Sequence, residues 1–272
     1  MASKPIPLLA HPLDEESAFT PEALLEAVRV TRRVPRDPVP PICVLEFDGD
    51  LTDWLVSTGA AKRWKSWACF HTSMHALEVE GTSCGIVPRT IGGPYAALIA
   101  EQLKSSGARV ILGLTSAGRV AASVPVPSLV VATSAIRDEG TSYHYLSPSR
   151  PAVAHSQLAD SLEQGLGSLG VPVLSGAVWT TDAPYRETNR QLVEYARQGV
   201  LAVEMQAASL FAFSIARGTP VGMVAHVTNG IDHQGSLFDK GPHEFSYRLL
   251  EAMCRTAKSF LENRMRSPGD HW

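Results

Sequence analysis

The sequence has no long apolar run, no cluster of basic residues and few charges of either sign. No stretch approaches the roughly 18 consecutive apolar residues that a membrane helix needs, and the chain does not open on a basic segment followed by an apolar one. The net charge is -3, from 24 basic and 27 acidic residues, so nothing predicts a surface for nucleic acid or membrane. We expect a soluble, cytoplasmic protein with a small-molecule partner.

Cysteine is also scarce. The four cysteines, at positions 43, 69, 84 and 254, have neither CxxC spacing nor the density of a disulfide scaffold. They predict reduced thiols, and none is an obvious zinc ligand. We expect no metal site and no cofactor. Apolar residues, by contrast, make up 44% of the 272 residues, which is enough for one large core and too many for a disordered chain.

Residues 1–41 predict an N-terminal arm with one helix and a proline-rich linker. Thr20 and Pro21 suit the N-cap and the first position of a helix over residues 23–31. Four prolines within residues 35–41 remove backbone donors too often for a helix or a central strand. The rest of the chain, residues 42–272, predicts one domain.

Residues 42–272 alternate short apolar runs with helix-like segments. Strands separated by helices are typical of an α/β domain. We predict a single-domain three-layer α/β/α sandwich with a central mixed, largely parallel sheet. Strands are predicted at residues 42–47, 85–87, 109–114, 128–133, 171–179, 200–203 and 221–227, and helices at residues 95–105, 154–169, 205–217 and 244–264.

Glycines and small polar residues follow three of the predicted strands, where α/β sheets bind ligands. Gly49 follows the first strand, Gly93 lies in a double-glycine turn, and Thr115 and Ser116 follow the third strand. Backbone N–H groups and hydroxyls in such turns bind anions or sugar oxygens. The alternative for each is a tight turn with no ligand.

Charged residues follow two other strands. Arg137 lies in a polar loop, residues 135–145, where an exposed ion pair is the alternative to a ligand contact. Glu204, Met205 and Gln206 stand at a strand-to-helix junction. There Glu204 either caps the helix or contacts a ligand.

The loop of residues 179–188 combines aromatic and polar side chains. Such a loop can stack on a flat ring and hydrogen-bond its edge. The alternative is a core Trp beside an exposed turn. The side chains concerned are Trp179, Tyr185, Arg186 and Thr188.

The last predicted strand ends in Thr228 and Asn229, and Asp232 follows. These groups are expected at the same crevice as the other strand ends. Asn229 can hydrogen-bond a base edge but cannot protonate it, whereas Asp232 carries an acidic group. His226, inside the apolar strand, is expected to be a core histidine with satisfied hydrogen bonds.

The order of these motifs resembles the nucleoside phosphorylase superfamily of the uridine and hexameric purine type. The resemblance runs over residues 42–261, and it is the order and spacing of the motifs that carry it. It implies an enzyme that cleaves the N-glycosidic bond of a nucleoside with phosphate as the attacking group, in a homo-oligomer built from dimers. The matching motifs are Asp48-Gly49-Asp50, Ile91-Gly92-Gly93-Pro94, Thr115-Ser116-Ala117-Gly118, Arg137-Asp138-Glu139-Gly140, Thr180-Thr181-Asp182, Glu204-Met205-Gln206 and Thr228-Asn229.

The resemblance implies a role for some of the candidate residues, namely Gly49, Gly93, Ser116, Met205, Gln206, Trp179, Tyr185 and Asn229. The roles of the others are predicted from their chemistry and their position in the chain. Catalytic roles fall on Asn229 and Asp232, and Asn229 also lies at the base pocket. The predicted phosphate- or sugar-binding residues are Gly49, Gly93, Thr115, Ser116, Arg137, Glu204, Met205 and Gln206. The predicted base-binding residues are Trp179, Tyr185, Arg186, Thr188 and Thr228.

Three positions depart from the family pattern. Asp53 and Leu112 stand where two phosphate-binding arginines are expected, and Gln206 replaces a glutamate. A dianionic phosphate without arginine partners is poorly compensated, and a nearby carboxylate repels it. A neighbouring subunit is one candidate source of the missing charge, and the others are Arg89, Arg119 and Arg137.

These departures leave alternatives open. Phosphate is one co-substrate, and hydrolysis by water is the alternative to phosphorolysis. A repurposed enzyme acting on a non-nucleoside substrate and a non-catalytic ligand-binding or storage protein are compatible with the same fold, because fold does not determine function.

Overall fold

The computed structural model describes residues 6–230 and 241–266, which form a sheet of ten strands and seven α-helices. The α/β class is confirmed. The strands are β1 Ile42–Glu46, β2 Lys62–Arg63, β3 His75–Val79, β4 Thr82–Pro88, β5 Val110–Arg119, β6 Ser128–Asp138, β7 Ala152–Val153, β8 Val173–Thr181, β9 Ala202–Glu204 and β10 Val221–Gly230. The helices are α1 Pro21–Arg32, α2 Asp50–Ser57, α3 Gly93–Ser105, α4 Ser156–Leu166, α5 Asn189–Arg197, α6 Ala207–Arg217 and α7 His243–Arg266.

The sheet is mixed, and part of it closes on itself. The strand order is β10-β6-β8-β9-β5-β1-β4-β3-β2, with β7 paired to β6. Because β10 also pairs with β5, the strands β5, β10, β6, β8 and β9 form a ring. Among the described strands five pairings are parallel and five antiparallel. The parallel pairings hold most of the paired residues, so the sheet is mixed and largely parallel as predicted, and hairpins and ring closure add the antiparallel pairs.

Four strands, β4, β5, β6 and β10, are longer than the sequence predicts, and β5 and β6 gain most at their ends. β5 continues through residues 115–118, which we expected to form a turn, because β10 pairs with this segment and β9 pairs with its end. β6 likewise continues to Asp138 beside β8. Tertiary hydrogen bonds thus override the low strand preference of the alanine, glycine and aspartate residues in these segments. The polar side chains predicted in turns lie on strands at the edge of the cleft described below.

The core consists of the central strands and the helices packed on them. Every residue of β1 is buried, as a continuous apolar run predicts for a parallel strand. Helix α3 packs on α6 and α1, whereas α2 and α4 pack on α7. In the described part of the chain, every helix is too short or too polar to span a bilayer.

The N-terminal arm carries the predicted helix. Thr20 caps α1, and its side chain accepts a hydrogen bond from the backbone N–H of Ala23 at 3.3 Å. Leu25 and Val28 of α1 form a small apolar cluster with Ala68. Residues 35–40 form neither helix nor strand, in agreement with the proline-rich linker. The bounds of the arm as a separate unit remain a prediction.

Candidate active site

A cleft of about 540 Å³ lies beside the ends of β5 and β9, at the start of α6. A smaller cavity of about 60 Å³ adjoins it, and Asp48, Thr115 and Ser116 line both spaces. The larger space has the size of a small-molecule site. Its lining also includes Phe47, Ile91, Pro184, Tyr185, Glu187, Asn189, Leu192, Val203, Glu204, Met205 and Gln206.

The turn after β1 is organised by a buried carboxyl group. Glu46, at the end of β1, accepts hydrogen bonds from the Gly49 N–H at 2.6 Å, the Thr52 N–H at 3.3 Å and the Thr52 hydroxyl at 3.0 Å. Burial raises the pKa of Glu46, and these hydrogen bonds oppose that rise. Gly49 has a φ of +92°, a conformation that favours glycine. The Gly49 amide, predicted to hold an external anion, is thus already occupied by a carboxyl group of the chain.

Asp48 lies at the junction of the cleft and the small cavity. Its carboxylate Oδ1 accepts a hydrogen bond from the Ser116 hydroxyl at 3.2 Å. The neighbouring Thr115 hydroxyl donates to the Ser116 carbonyl oxygen at 2.7 Å. The strands β1 and β5 are direct neighbours in the sheet, which brings these three side chains together. They place a carboxylate and two hydroxyls at one end of the cleft.

The junction of β9 and α6 is fixed by Glu204. Its carboxyl group accepts hydrogen bonds from the Thr180 hydroxyl, from the Gln206 N–H at 2.6 Å and from the Ala207 N–H at 2.8 Å. Burial raises the pKa of Glu204 to about 7, although these hydrogen bonds favour the charged form. The network holds the turn on which Met205 and Gln206 line the cleft. Glu204 therefore caps α6 and also shapes the cleft.

Glu204 predicts a pH dependence of stability. Its pKa rises from 4.5 to about 7 on folding, so between these values the folded state holds a proton that the unfolded state has released. Its contribution to the free energy of unfolding is full below the unfolded pKa and is lost as the pH rises through the folded pKa. Urea unfolding of the wild type and Glu204→Gln across this range measures the effect. We expect the wild type to lose stability relative to the variant as the pH rises, and parallel curves would contradict the assignment.

The other end of the cleft carries an aromatic side chain. Tyr185 is fully exposed and lies in the lining beside Glu187 and Leu192. Burial raises the pKa of Glu187. Of the residues predicted to bind a base, the structure places Tyr185 in this cleft and Thr228 in the small cavity.

Two further base-binding candidates have other surroundings. Thr188 caps α5: its side chain accepts a hydrogen bond from the Gln191 N–H at 3.3 Å, and the Gln191 side chain accepts one from the Thr188 N–H. Arg186 lines a separate cavity of about 500 Å³ beneath the N-terminal arm. Neither residue is part of the cleft lining.

Trp179 and Gly93 contribute to packing. Trp179 is fully buried, and its indole N–H donates to the Asp138 carboxylate at 3.0 Å. A Cβ on Gly93 would lie 2.2 Å from the Ser209 hydroxyl oxygen, so this glycine permits the close contact of α3 with α6. The structure does not bring either residue into the cleft lining, and for Trp179 it agrees with the alternative of a core Trp.

Arg137 binds its own loop. Its guanidinium faces the ring of Tyr143, with 4.1 Å between the guanidinium carbon and the ring centroid. Its N–H groups donate to the Ser142 hydroxyl and to the carbonyl oxygens of Leu146, Ser147 and Arg150. With its donors used in this way, Arg137 holds the loop after β6 and does not line the cleft.

The end of β10 lies at the small cavity. Thr228 and His226 line it, and the imidazole of His226 packs against the Phe245 ring with 5.0 Å between ring centroids. Burial lowers the pKa of His226. Asn229 belongs to β10 and pairs with Gly118, whereas its side chain and the whole of Asp232 lie outside the described residues. Catalytic roles for Asn229 and Asp232 stay predictions.

The lining is acidic. Five of its described residues have carboxylic side chains. No described residue of the lining is Lys or Arg. Leu112, at a predicted arginine position, is buried in β5. Asp53, at the other, accepts a hydrogen bond from the Arg89 Nη1 at 3.1 Å. The five acidic residues are Glu46, Asp48, Asp50, Glu187 and Glu204.

Glu46 and Asp48 were not among the predicted site residues. The signal for Glu46 was present, because it is a single charged residue inside the apolar run of residues 42–47. Buried carboxyl groups need hydrogen-bond partners, so such a residue marks a structured turn. Asp48 stands in the motif Asp48-Gly49-Asp50, but its contact with Ser116 depends on the neighbouring strand. No group of three or more His, Cys, Asp or Glu side chains in residues 6–230 and 241–266 is placed to hold a metal ion.

Comparison with known proteins identifies relatives. The sequence model of the family described as "Phosphorylase superfamily" matches residues 42–262. A guanosine phosphorylase of Halorubrum lacusprofundi is 30% identical over 152 residues, covering 56% of this chain and 63% of the relative. A uridine phosphorylase of Thermococcus kodakarensis is 30% identical over 166 residues, covering 56% and 60%. A uridine phosphorylase of Salmonella typhimurium is 26% identical over 191 residues, covering 65% and 72%. The matches thus span less than two thirds of the first two relatives.

Proposed function

The chain belongs to the phosphorylase superfamily, and from this premise we propose that it cleaves the N-glycosidic bond of a nucleoside bound in the cleft. The observation that carries the proposal is the Glu204 network, which fixes Met205 and Gln206 in the lining of the cleft that also contains Thr115 and Ser116. A thioether offers an apolar surface to a sugar ring, and a buried amide can hydrogen-bond its hydroxyls.

The two ends of the cleft suggest how the substrate lies. The base extends towards Tyr185, whose exposed ring offers a stacking surface. The anomeric carbon lies towards Asp48 and Ser116, where the cleft meets the small cavity. This orientation puts the reacting bond next to the carboxylate that both spaces share.

We propose water as the attacking group. The Asp48 carboxylate favours the positive charge that develops on the sugar, and among the described lining residues no Lys or Arg compensates a phosphate dianion. The water oxygen bonds to the anomeric carbon, its proton passes to the Asp48 carboxylate, and the bonding pair of the C–N bond leaves with the base. The base takes up a proton, and the products are a free sugar and a free base.

Phosphorolysis is the second candidate. Its support is that the relatives above are named as guanosine and uridine phosphorylases. In this reaction a phosphate oxygen attacks the same carbon, and a sugar 1-phosphate replaces the free sugar. Inorganic phosphate is then the co-substrate. A homo-oligomeric assembly and a cytoplasmic location stay predictions in either case.

Base release from a panel of nucleosides tests the function. Uridine, guanosine and inosine are incubated with the protein, with and without inorganic phosphate, and free base is measured by chromatography. Equal release in both buffers supports hydrolysis, and release that requires phosphate supports the second candidate. If no nucleoside releases base but calorimetry still detects nucleoside binding, the result would contradict an enzymatic function and indicate a ligand-binding protein.

Gln206→Glu tests the sugar contact. Gln206 is buried, and its side-chain oxygen accepts a hydrogen bond from the Met205 N–H at 3.3 Å. A carboxylate at this position makes charge-assisted hydrogen bonds to sugar hydroxyls, so we expect about tenfold tighter ribonucleoside binding. Calorimetric titration measures it, with the 2′,3′-dideoxy analogue as the control ligand. Unchanged affinity for the ribonucleoside would mean that Gln206 does not contact the sugar.

A further inference from the structure

Arg89 lies directly against the turn that follows β1. Its backbone N–H donates to the Glu46 carbonyl oxygen at 2.8 Å, and its φ of +58° is unusual for a residue other than glycine. A Cβ on Gly49 would lie 2.6 Å from the Arg89 Cγ and 2.9 Å from its Cζ. The side chain therefore crosses the glycine that carries the family motif, next to Asp48.

Asp53 engages the guanidinium from the first turns of α2. Nη1 of Arg89 donates to Oδ1 at 3.1 Å, and Nη2 donates to Oδ2. The pair holds the pKa of Asp53 below its usual range, mainly through these hydrogen bonds. Both outer nitrogens of the guanidinium are thus directed at one carboxylate, in the geometry with which arginine also binds phosphate.

Three other donors of the turn already have an acceptor. Glu46 accepts from the Gly49 N–H and from both the N–H and the hydroxyl of Thr52. Arg89 is the group at this turn whose donors are held by an exposed partner, since about 61% of the Asp53 side chain is exposed. A substitution of Asp53 alone can therefore change the affinity of the turn for an oxyanion.

We propose that the Asp53–Arg89 pair selects the nucleophile: Asp53 occupies the guanidinium that would otherwise bind phosphate at the Gly49 turn, so that the site admits water. The inference rests on the proposed function. It makes Asp53 a specificity-determining residue and Arg89 a latent oxyanion ligand. Removing the charge of Asp53 frees Arg89 for an oxyanion of phosphate type.

Calorimetric titration with inorganic phosphate tests this on the full chain. Asp53→Asn is expected to bind phosphate at least about tenfold more tightly than the wild type, as for the gain of one charge-assisted hydrogen bond. The double variant Asp53→Asn with Arg89→Ala should lose that gain. The matched control is Glu26→Gln, which removes the carboxylate from another exposed two-bond arginine pair, with Arg36.

The product of each variant gives a second readout. With a nucleoside and phosphate present, Asp53→Asn should yield sugar 1-phosphate in addition to free sugar. Equal phosphate binding by wild type and Asp53→Asn, or a gain that survives Arg89→Ala, would overturn the inference. If no variant releases base but the gain in phosphate binding appears and depends on Arg89, the proposed function and the choice of nucleophile fail, while Arg89 stands as an oxyanion ligand that Asp53 occupies. Because the pair is exposed, we expect all variants to unfold at the same temperature as the wild type. This measurement verifies that the variants are folded.

Discussion

Replacing Asp48 by Asn is expected to lower kcat for base release by about 10²- to 10⁴-fold, the range for loss of a positioned general base. The carboxylate is held by the Ser116 hydroxyl at 3.2 Å and lines both the cleft and the small cavity. Asn keeps the shape and accepts the same hydrogen bond, but it cannot take a proton from water. Steady-state kinetics on the best nucleoside of the panel measures the loss.

The effect should fall on kcat rather than on KM, because in the proposed reaction Asp48 takes a proton from water and does not contact the base. Asp160→Asn is the control for net charge, because it removes the same charge from an exposed residue of α4. A kcat within about threefold of the wild type would remove Asp48 from the mechanism, since the loss of a general base exceeds that range. A rise in KM alone would instead assign it to binding.

Replacing Glu204 by Ala should lower the free energy of unfolding by about 3 kcal/mol or more, because three buried donors lose their acceptor and each such loss costs about 1–3 kcal/mol. The donors are the Thr180 hydroxyl and the N–H groups of Gln206 and Ala207. Urea unfolding at low pH measures the change. kcat/KM should fall as well, since the turn carrying Met205 and Gln206 loses its support.

Glu204→Gln is the matched variant. Its amide keeps one oxygen acceptor at the same place but brings N–H donors that face other donors, so we expect an intermediate loss of stability. If Ala is tolerated as well as Gln, the hydrogen-bond network does not hold the β9–α6 junction. That result would also remove the main support for a fixed sugar site.

Local signals in the sequence predict parts of the fold well. The Thr20 N-cap and Pro21 place the start of α1 correctly because capping depends on neighbouring residues alone. Helix α5 was missed because Thr188 was assigned to base binding, although Gln191 three residues later completes a capping box. The ends of β5 and β6 were placed too early because only the neighbouring strands supply their hydrogen bonds.

The candidate site was predictable in part for the same reason. Strand ends in an α/β sheet converge, and this rule brought Thr115 and Ser116 to the same cleft as Met205 and Gln206. It could not tell that Arg137 is bound by its own loop or that Trp179 is buried. Whether a polar side chain is already hydrogen-bonded within the protein depends on the tertiary structure. The residue type alone does not predict it.

The pairing of Asp53 with Arg89 illustrates the limit most directly. The sequence predicts the loss of an arginine at position 53 but not the partner that the new carboxylate finds, 36 residues away. That partner comes from the end of β4, which lies beside β1 in the sheet. As a result, Asp53 neutralises the positive charge of Arg89 beside the Gly49 turn.

The identity of the sugar product tests the central proposal, hydrolysis in a cleft whose described lining has no Lys or Arg, most directly. A nucleoside that the protein cleaves is incubated with inorganic phosphate in excess, and the sugar is identified by phosphorus NMR together with a reducing-sugar assay. We predict free sugar in an amount equal to the released base, with no sugar 1-phosphate. Sugar 1-phosphate in an amount equal to the base, and no release when phosphate is left out, would contradict the account.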